Sequence, residues 1–299
     1  MNVTTDLALE LRESRMASRA ERDRGEIDGV TFSEHADGGV VVSTIDILNE
    51  AGEEKLGRRR GRYVTVSFGD VSAVGFDEYC HICRVISKNI LSLSERICKS
   101  VSSVLVCGLG NRRFAADAVG VISAERTVIT RHIKTSDAEV FRAAGFFDVC
   151  AFMPGVAAQT GLETLGLVKG AAENAKPDLI IVIDSLAARE TERLARTVQI
   201  TDTGISPGSG VGNHRAAINS ETTGFPTIAL GVPMVIDSNT LLCDALENAG
   251  AKIPEQLPPG MFVCPKDVDT KAELVGGIIG YAINLAFHKN MTIPEMMIM

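Results

Sequence analysis

Tryptophan is absent, and aromatic residues make up only 5% of the chain. That leaves too few ring faces for a single-strand stacking platform or an aromatic carbohydrate cleft. A surplus of basic side chains is lacking as well: 30 Lys and Arg stand against 38 Asp and Glu, a net charge of −8. Such a chain gains nothing from counterion release on DNA, so direct nucleic-acid binding is not expected. Neutral or basic partners suit it better. The longest apolar stretch, Leu274 to Phe287, is about 14 residues, where a membrane span needs about 20. The opening MNVTTDLALELRESR has no apolar signal-peptide core, so no membrane or secretory role is expected. A paired cysteine pattern is missing too. Cys80, Cys83, Cys98, Cys107, Cys150, Cys243 and Cys264 are odd in number and scattered. They read as reduced thiols of an intracellular protein rather than a disulfide framework. No internal repeat and no low-complexity segment occurs.

What remains is a globular composition: 45% apolar and 23% charged in 299 residues, enough for one large domain or two ordinary ones. Residues 8–25 interleave charge with helix formers and predict a solvated helix. VVVSTIDI (40–47) and VTVSF (64–68) read as short strands between turn signals, a β excursion at about 28–75. From Asp77 to Lys99, Ile82, Ile86, Ile90, Leu93 and Ile97 form one helical stripe. SSVLVCG, TVITRHI, DLIIVID and TIALGVPMVID predict strands. Residues 162–175, LAARETERLART (186–197) and 267–288 predict helices. DLIIVID is the continuous apolar type buried on both faces of a parallel sheet. The alternation implies an α/β fold: an open, mostly parallel sheet with helices on both faces.

Several motifs dissolve on inspection. Gly108-Leu109-Gly110 follows a strand, but Arg113 stands where a dinucleotide fingerprint needs its third glycine, so no such cofactor is expected. The glycine-rich Gly204 to Gly212 lacks the Gly-Lys-Ser/Thr end of a P-loop and reads as a loop passing close to peptide or a neighbouring subunit. Gly204-Ile205-Ser206-Pro207-Gly208 matches a nucleophile elbow, yet Pro207 has no N–H to give the oxyanion. Cys80 and Cys83 form a lone CxxC on a periodic helix and read as core thiols. No HExxH occurs among the five histidines. The basic run Arg58-Arg59-Arg60-Gly61-Arg62 reads as a solvated turn.

The carboxylates are more informative. Asp184 is read as ending the strand DLIIVID, and Asp117 lies in the loop or first helical turn after the strand ending at Gly108. Ligands of open α/β sheets bind outside the carboxyl ends of strands. A helix-capping role would also place acids there. Two close carboxylates cannot easily ionise together, so one can serve as base and the other as acid on a peptide bond. Asp202-Thr203-Gly204 matches the aspartic-protease tripeptide, which makes Asp202 a reserve candidate.

GLGNRRFAADAVG (108–120), VITRH (128–132), PGVAAQTGLET (154–164), KPDLIIVIDSLAAR (176–189), QITDTGISPGSGVGN (199–213) and FPTIALGVPMVID (225–237) together resemble the germination protease, or spore protease, family. TDLALE (5–10) resembles that family's opening motif. The resemblance implies an endopeptidase made as a zymogen, which degrades small acid-soluble DNA-coating proteins in the spore core, a cytoplasmic compartment. It implies an atypical aspartic peptidase with Asp117 and Asp184 as the essential pair, no cofactor, and a homo-oligomer, a tetramer by family analogy. The apolar tail MTIPEMMIM and the glycine-lined last helix fit such an assembly. It further implies self-processing between Asp6 and Leu7, giving a propeptide 1–6, mobile by its polarity, and a peptidase domain 7–299. Arg112 or Arg113 is the expected partner of the acidic side chain before the cut. Fold-level similarity to hydrogenase-maturation endopeptidases leaves a metal-dependent reading, in which the same acids and His132 or His214 are ligands. A non-catalytic peptide-binding homologue is the other alternative.

Overall fold

The computed structural model describes residues 5–16, 27–208, 215–254, 257, 260–288 and 290–298. The strands are β1 (Val30–Asp37), β2 (Val40–Ile47), β3 (Gly61–Ser67), β4 (Ser103–Gly108), β5 (Asp148–Phe152), β6 (Leu179–Ala188), β7 (Thr197–Thr201), β8 (Thr227–Asp237) and β9 (Phe262–Val263). They form one sheet in the order β1-β2-β3-β7-β8-β6-β4-β5, with β9 on the end of β8. The block β5-β4-β6-β8 is parallel throughout. β7, β3, β2 and β1 extend it as an antiparallel wing.

Five helices matter for the site: α1 (Ala8–Met16), α2 (Phe76–Ile97), α3 (Val119–Glu125), α4 (Thr164–Ala175) and α5 (Val268–Phe287). The period-2 alternation of a strand sorts β6 between two cores. Leu179, Ile181 and Ile183 face the core under α2, α3 and α5. Ile180 and Val182 face the opposite core, with Val168 and Ala172 of α4. The stripe of α2 packs as its spacing predicts, and Cys80 and Cys83 sit free and buried within it. Burial pushes the Cys83 thiol far up, so it stays protonated.

Three expectations change. LAARETERLART is not a helix: β6 runs on to Ala188, a short turn of 3₁₀ helix spans Thr191–Arg193, and β7 begins at Thr197. Asp184 therefore lies inside its strand rather than at its end. Pairing with β8 along Ile180 to Ala188 outweighs the helical preference of the segment. TVITRHI is not a strand, since Arg131–Ser136 is helical and the edge strand is β5. The glycines of the last helix are used within the chain. A Cβ at Gly276 would stand 2.6 Å from Ile122, and one at Gly280 would stand 2.5 Å from the Cβ of Arg126, so both serve the packing of α5 on α3. Of the helix expected over 8–25, Ala8–Met16 is helical, and residues 17–26 lie outside the described residues.

Candidate active site

β4 stops at Gly108, level with Ile183 of β6. The next β6 residue, Asp184, thus stands just beyond the carboxyl edge of β4 although its own strand continues. Strand alternation turns it to the face of Ile180 and Val182. The chain leaving β4 folds back as a tight loop. Asn111 N–H donates to the Asp117 carbonyl at 2.9 Å, and Asp117 N–H donates to the Phe114 carbonyl at 2.8 Å. Two glycines permit the close approach. Gly110 has φ +100°, and a Cβ there would stand 2.0 Å from the Asp117 carbonyl oxygen. A Cβ at Gly120 would stand 2.3 Å from the Ile183 carbonyl oxygen. The spacing that looked like half a dinucleotide fingerprint is the packing requirement of this loop.

Asp117 and Asp184 line one cavity of about 310 Å³ together with Asp6, Ser185, Leu186 and Arg215. Phe114, Val156, Ser206, Pro207 and Phe262 also line it. Phe114 and Phe262 are large exposed apolar side chains, so its rim offers ring faces to an apolar group. Burial pushes the Asp117 carboxyl up to about 6, against the pull of the Asn111 amide and the Arg215 guanidinium. Asp184 is also raised well above the carboxylate range, first by burial and then by the charge of Asp117. Asp6 adds to that rise, whereas the Ser185 N–H, 2.9 Å from Asp184 Oδ1, and Arg215 oppose it. The pair can hold one proton between a more buried and a less buried carboxyl, which is the state needed for acid and base work on one bond.

The other candidates fall elsewhere. Asp202 does not line the cavity; Oδ1 accepts the Arg62 N–H at 2.7 Å and Oδ2 accepts from Arg96 Nε at 3.0 Å. Arg112 pairs on the surface with Glu125 and Glu273, and neither it nor Arg113 lines the cavity. The cation nearest Asp6 among the described ion pairs is Arg58, 4.0 Å from Oδ1, whose guanidinium also donates to the Thr5 carbonyl at 2.7 Å. The basic run is thus no mere solvated turn: Arg59 pairs with Glu221 and Arg62 with Asp46. His132 is exposed and away from the cavity, and His214 lies outside the described residues. No group of three His, Cys, Asp or Glu among the described residues is arranged to hold a metal ion.

The segment holding Asp6 and Leu7 is not a loose arm where it is described. Asp6 N–H donates to the Ala187 carbonyl at 2.9 Å, and Ala187 N–H donates to Asp6 Oδ2 at 2.9 Å. The Gln199 amide brackets the next residues, donating to the Asp6 carbonyl at 3.2 Å and accepting from Ala8 N–H at 2.8 Å. Leu7 is wholly buried against Leu186, Ala188, Leu194 and Ile236. Residues 1–4 lie outside the described residues. Sequence reasoning also missed Arg215. Its one sequence signal is its place just after the glycine-rich stretch, of which Ser206, Pro207 and Gly208 line the cavity. An antiparallel bridge between Ile205 and Ile218 pinches that loop at its base.

Comparison with known proteins gives the family of the chain. The family model described as germination protease matches residues 8–253. A germination protease of Clostridium perfringens (strain SM101 / Type A) is 37% identical over 327 aligned positions, covering 98% of each chain. That of Oceanobacillus iheyensis is 40% identical over 270 positions, 88% of this chain and 73% of the relative. That of Bacillus subtilis (strain 168) is 36% identical over 283 positions, 91% and 76%. Among solved structures, a NiFe hydrogenase maturation protease from Thermococcus kodakarensis KOD1 aligns with 64% of this chain and 99% of its own, at 18% identity and a TM-score of 0.33. A match over most of the chain, with near full-length relatives above 30% identity, makes this chain a peptidase that belongs to the germination protease family.

Proposed function

We propose that the chain is an aspartic-type endopeptidase in which Asp117 and Asp184 share one proton and activate a water between them. The observation that carries this reading is the pair of raised carboxyls lining one cavity. Asp184, more buried, holds the proton and delivers it to the leaving amide nitrogen. Asp117, less buried, is the base that takes a proton from the attacking water. Arg215 offsets the negative charge of the pair, and the Phe114 and Phe262 rim receives an apolar side chain flanking the cut. The proposed substrates are small acid-soluble DNA-coating spore proteins, met in the spore core during germination. The chain is proposed to be made as a zymogen, to remove residues 1–6 itself by a cut between Asp6 and Leu7, and to work as a homo-oligomer, a tetramer by family analogy.

The test is the purified protein with a small acid-soluble spore protein, with and without a strong chelator, reading fragment masses. Cleavage should survive the chelator. Asp117→Asn and Asp184→Asn should each lower turnover by about 10²–10⁴-fold. Asp202→Asn, away from the cavity, should stay within about threefold of wild type and lose some thermal stability with its Arg96 pair. Chelator-sensitive cleavage would favour the metal-dependent reading. Near wild-type turnover in either dyad variant would remove that residue from the mechanism.

A further inference from the structure

Glu10 is a buried carboxylate that the dyad does not use. It stands in the first turn of α1. Its Oε2 accepts the Arg189 N–H at 2.8 Å and the Thr5 hydroxyl, and its Oε1 accepts the Glu190 N–H at 3.0 Å. Arg193 Nε lies 3.5 Å from Oε1. The same Thr5 hydroxyl oxygen accepts the Leu7 N–H at 3.1 Å. A single oxygen atom therefore bridges the Glu10 carboxylate and the backbone nitrogen of Leu7.

The consequence rests on the proposed cut between Asp6 and Leu7. Hydrolysis adds water across that amide: the Asp6 carbonyl carbon gains the oxygen and becomes a carboxylate, and the Leu7 nitrogen becomes an α-amine, protonated at neutral pH. The bridging hydroxyl departs with residues 1–6. A carboxylate that has lost a donor then faces an ammonium that has lost its acceptor. Leu7 stays anchored by its buried side chain, and the Ala8 N–H by Gln199. An ammonium just ahead of a helix also meets the positive end of the helix dipole, which requires a counter-charge. The remaining charges around Glu10 have partners of their own. Arg189 pairs with Asp244, and Arg193 with Glu13 and Glu190. Arg58, which holds the Thr5 carbonyl and stands near Asp6, loses both with the leader.

We propose that Glu10 is the receptor for the amino terminus created by processing: the Leu7 ammonium takes the place of the Thr5 hydroxyl on Glu10. Glu10 is then a positioning residue, which holds Leu7 against Leu186 at the cavity wall once the leader has gone.

The full chain is allowed to process, intact mass identifies the new first residue, and pH-dependent acylation reads the titration of its α-amine. In the processed wild type the Leu7 amine should titrate at least one unit above the ordinary range of about 7.7–8.0. Processed Glu10→Gln should return it to that range. Because an ammonium pKa raised by folding adds stability below the ordinary value and loses it above the raised one, processed wild type should lose more Tm between pH 7 and pH 10 than unprocessed Asp6→Ala. If Glu10→Gln does not fold, the wild-type titration and this Tm comparison decide alone. A Leu7 amine that titrates in the ordinary range overturns the Glu10 pairing while leaving the processing site intact. A chain that keeps residues 1–6, or starts anywhere but Leu7, overturns the processing reading and the pairing with it.

Discussion

A carboxyl group raised to about 6, as that of Asp117 is, is half ionised at a pH where ordinary carboxyls are almost fully charged. If Asp117 is the base, kcat/KM on a peptide should fall as pH drops through about 6, and Asp184 should set a second limb where its own proton is lost. A pH–rate profile flat from pH 7 to pH 5 would contradict that role. Stability should move the other way. Both groups bind protons more tightly in the folded chain than in the unfolded one, so their burial costs stability near neutral pH. That cost is relieved as pH falls through the folded pKa. Wild type should thus gain Tm relative to Asp117→Asn between pH 7.5 and pH 5, read by calorimetry. At this scale the sequence pointed to two acids that line one cavity: a motif marked both, while the strand-end rule served Asp117 but not Asp184, which lies inside β6. It did not point to Arg215, since a cation separated from Asp184 by 31 positions carries no local pattern. The reserve candidate Asp202 lies outside the cavity, because a three-residue match says nothing about partners such as Arg62 and Arg96, which come from distant parts of the chain.

At the scale of elements, the loop between β4 and α3 decides where Asp117 sits. Gly110→Ala puts a Cβ 2.0 Å from the Asp117 carbonyl oxygen at a φ of +100°. The backbone must shift, at a cost of about 1–3 kcal/mol for the conformation alone. Because the displaced residue is Asp117, activity should fall by at least tenfold in variants that remain folded by circular dichroism. Gly39→Ala, also at positive φ but with nothing within 4 Å of its Cβ, is the control for backbone strain without displacement. Periodicity gave α2 and the two-faced burial of β6 because both patterns are local. It failed for LAARETERLART because Leu, Ala, Arg and Glu favour helix in isolation, while β8 and Asp6 supply strand partners that no window reveals. The glycine-lined last helix was read correctly as a close-packing surface, but its partner is α3 of the same chain.

For the whole molecule, the proposed oligomer must use other surfaces than those glycines. In the tail, Ile293 and Met296 are buried, while Met297 and Ile298 are exposed. Light scattering at micromolar concentration should give a mass several times the 31.9 kDa of one chain. A single 31.9 kDa species would overturn the assembly, and removal of residues 293–299 should reduce its mass if the tail takes part.

The anchorage of the opening segment also sets an order of events during synthesis. Residues 5–8 are held by Ala187, Gln199 and Arg58, and two of those three are made about 180 or more positions later. A chain leaving the ribosome amino end first therefore carries its opening segment undocked for most of its translation. The slot forms only after β6 and β7 have emerged and paired through β8, the last of the three to be made. The proposed cut, where it uses the docked segment, therefore comes only after β8, which ends at Asp237, has been made and paired.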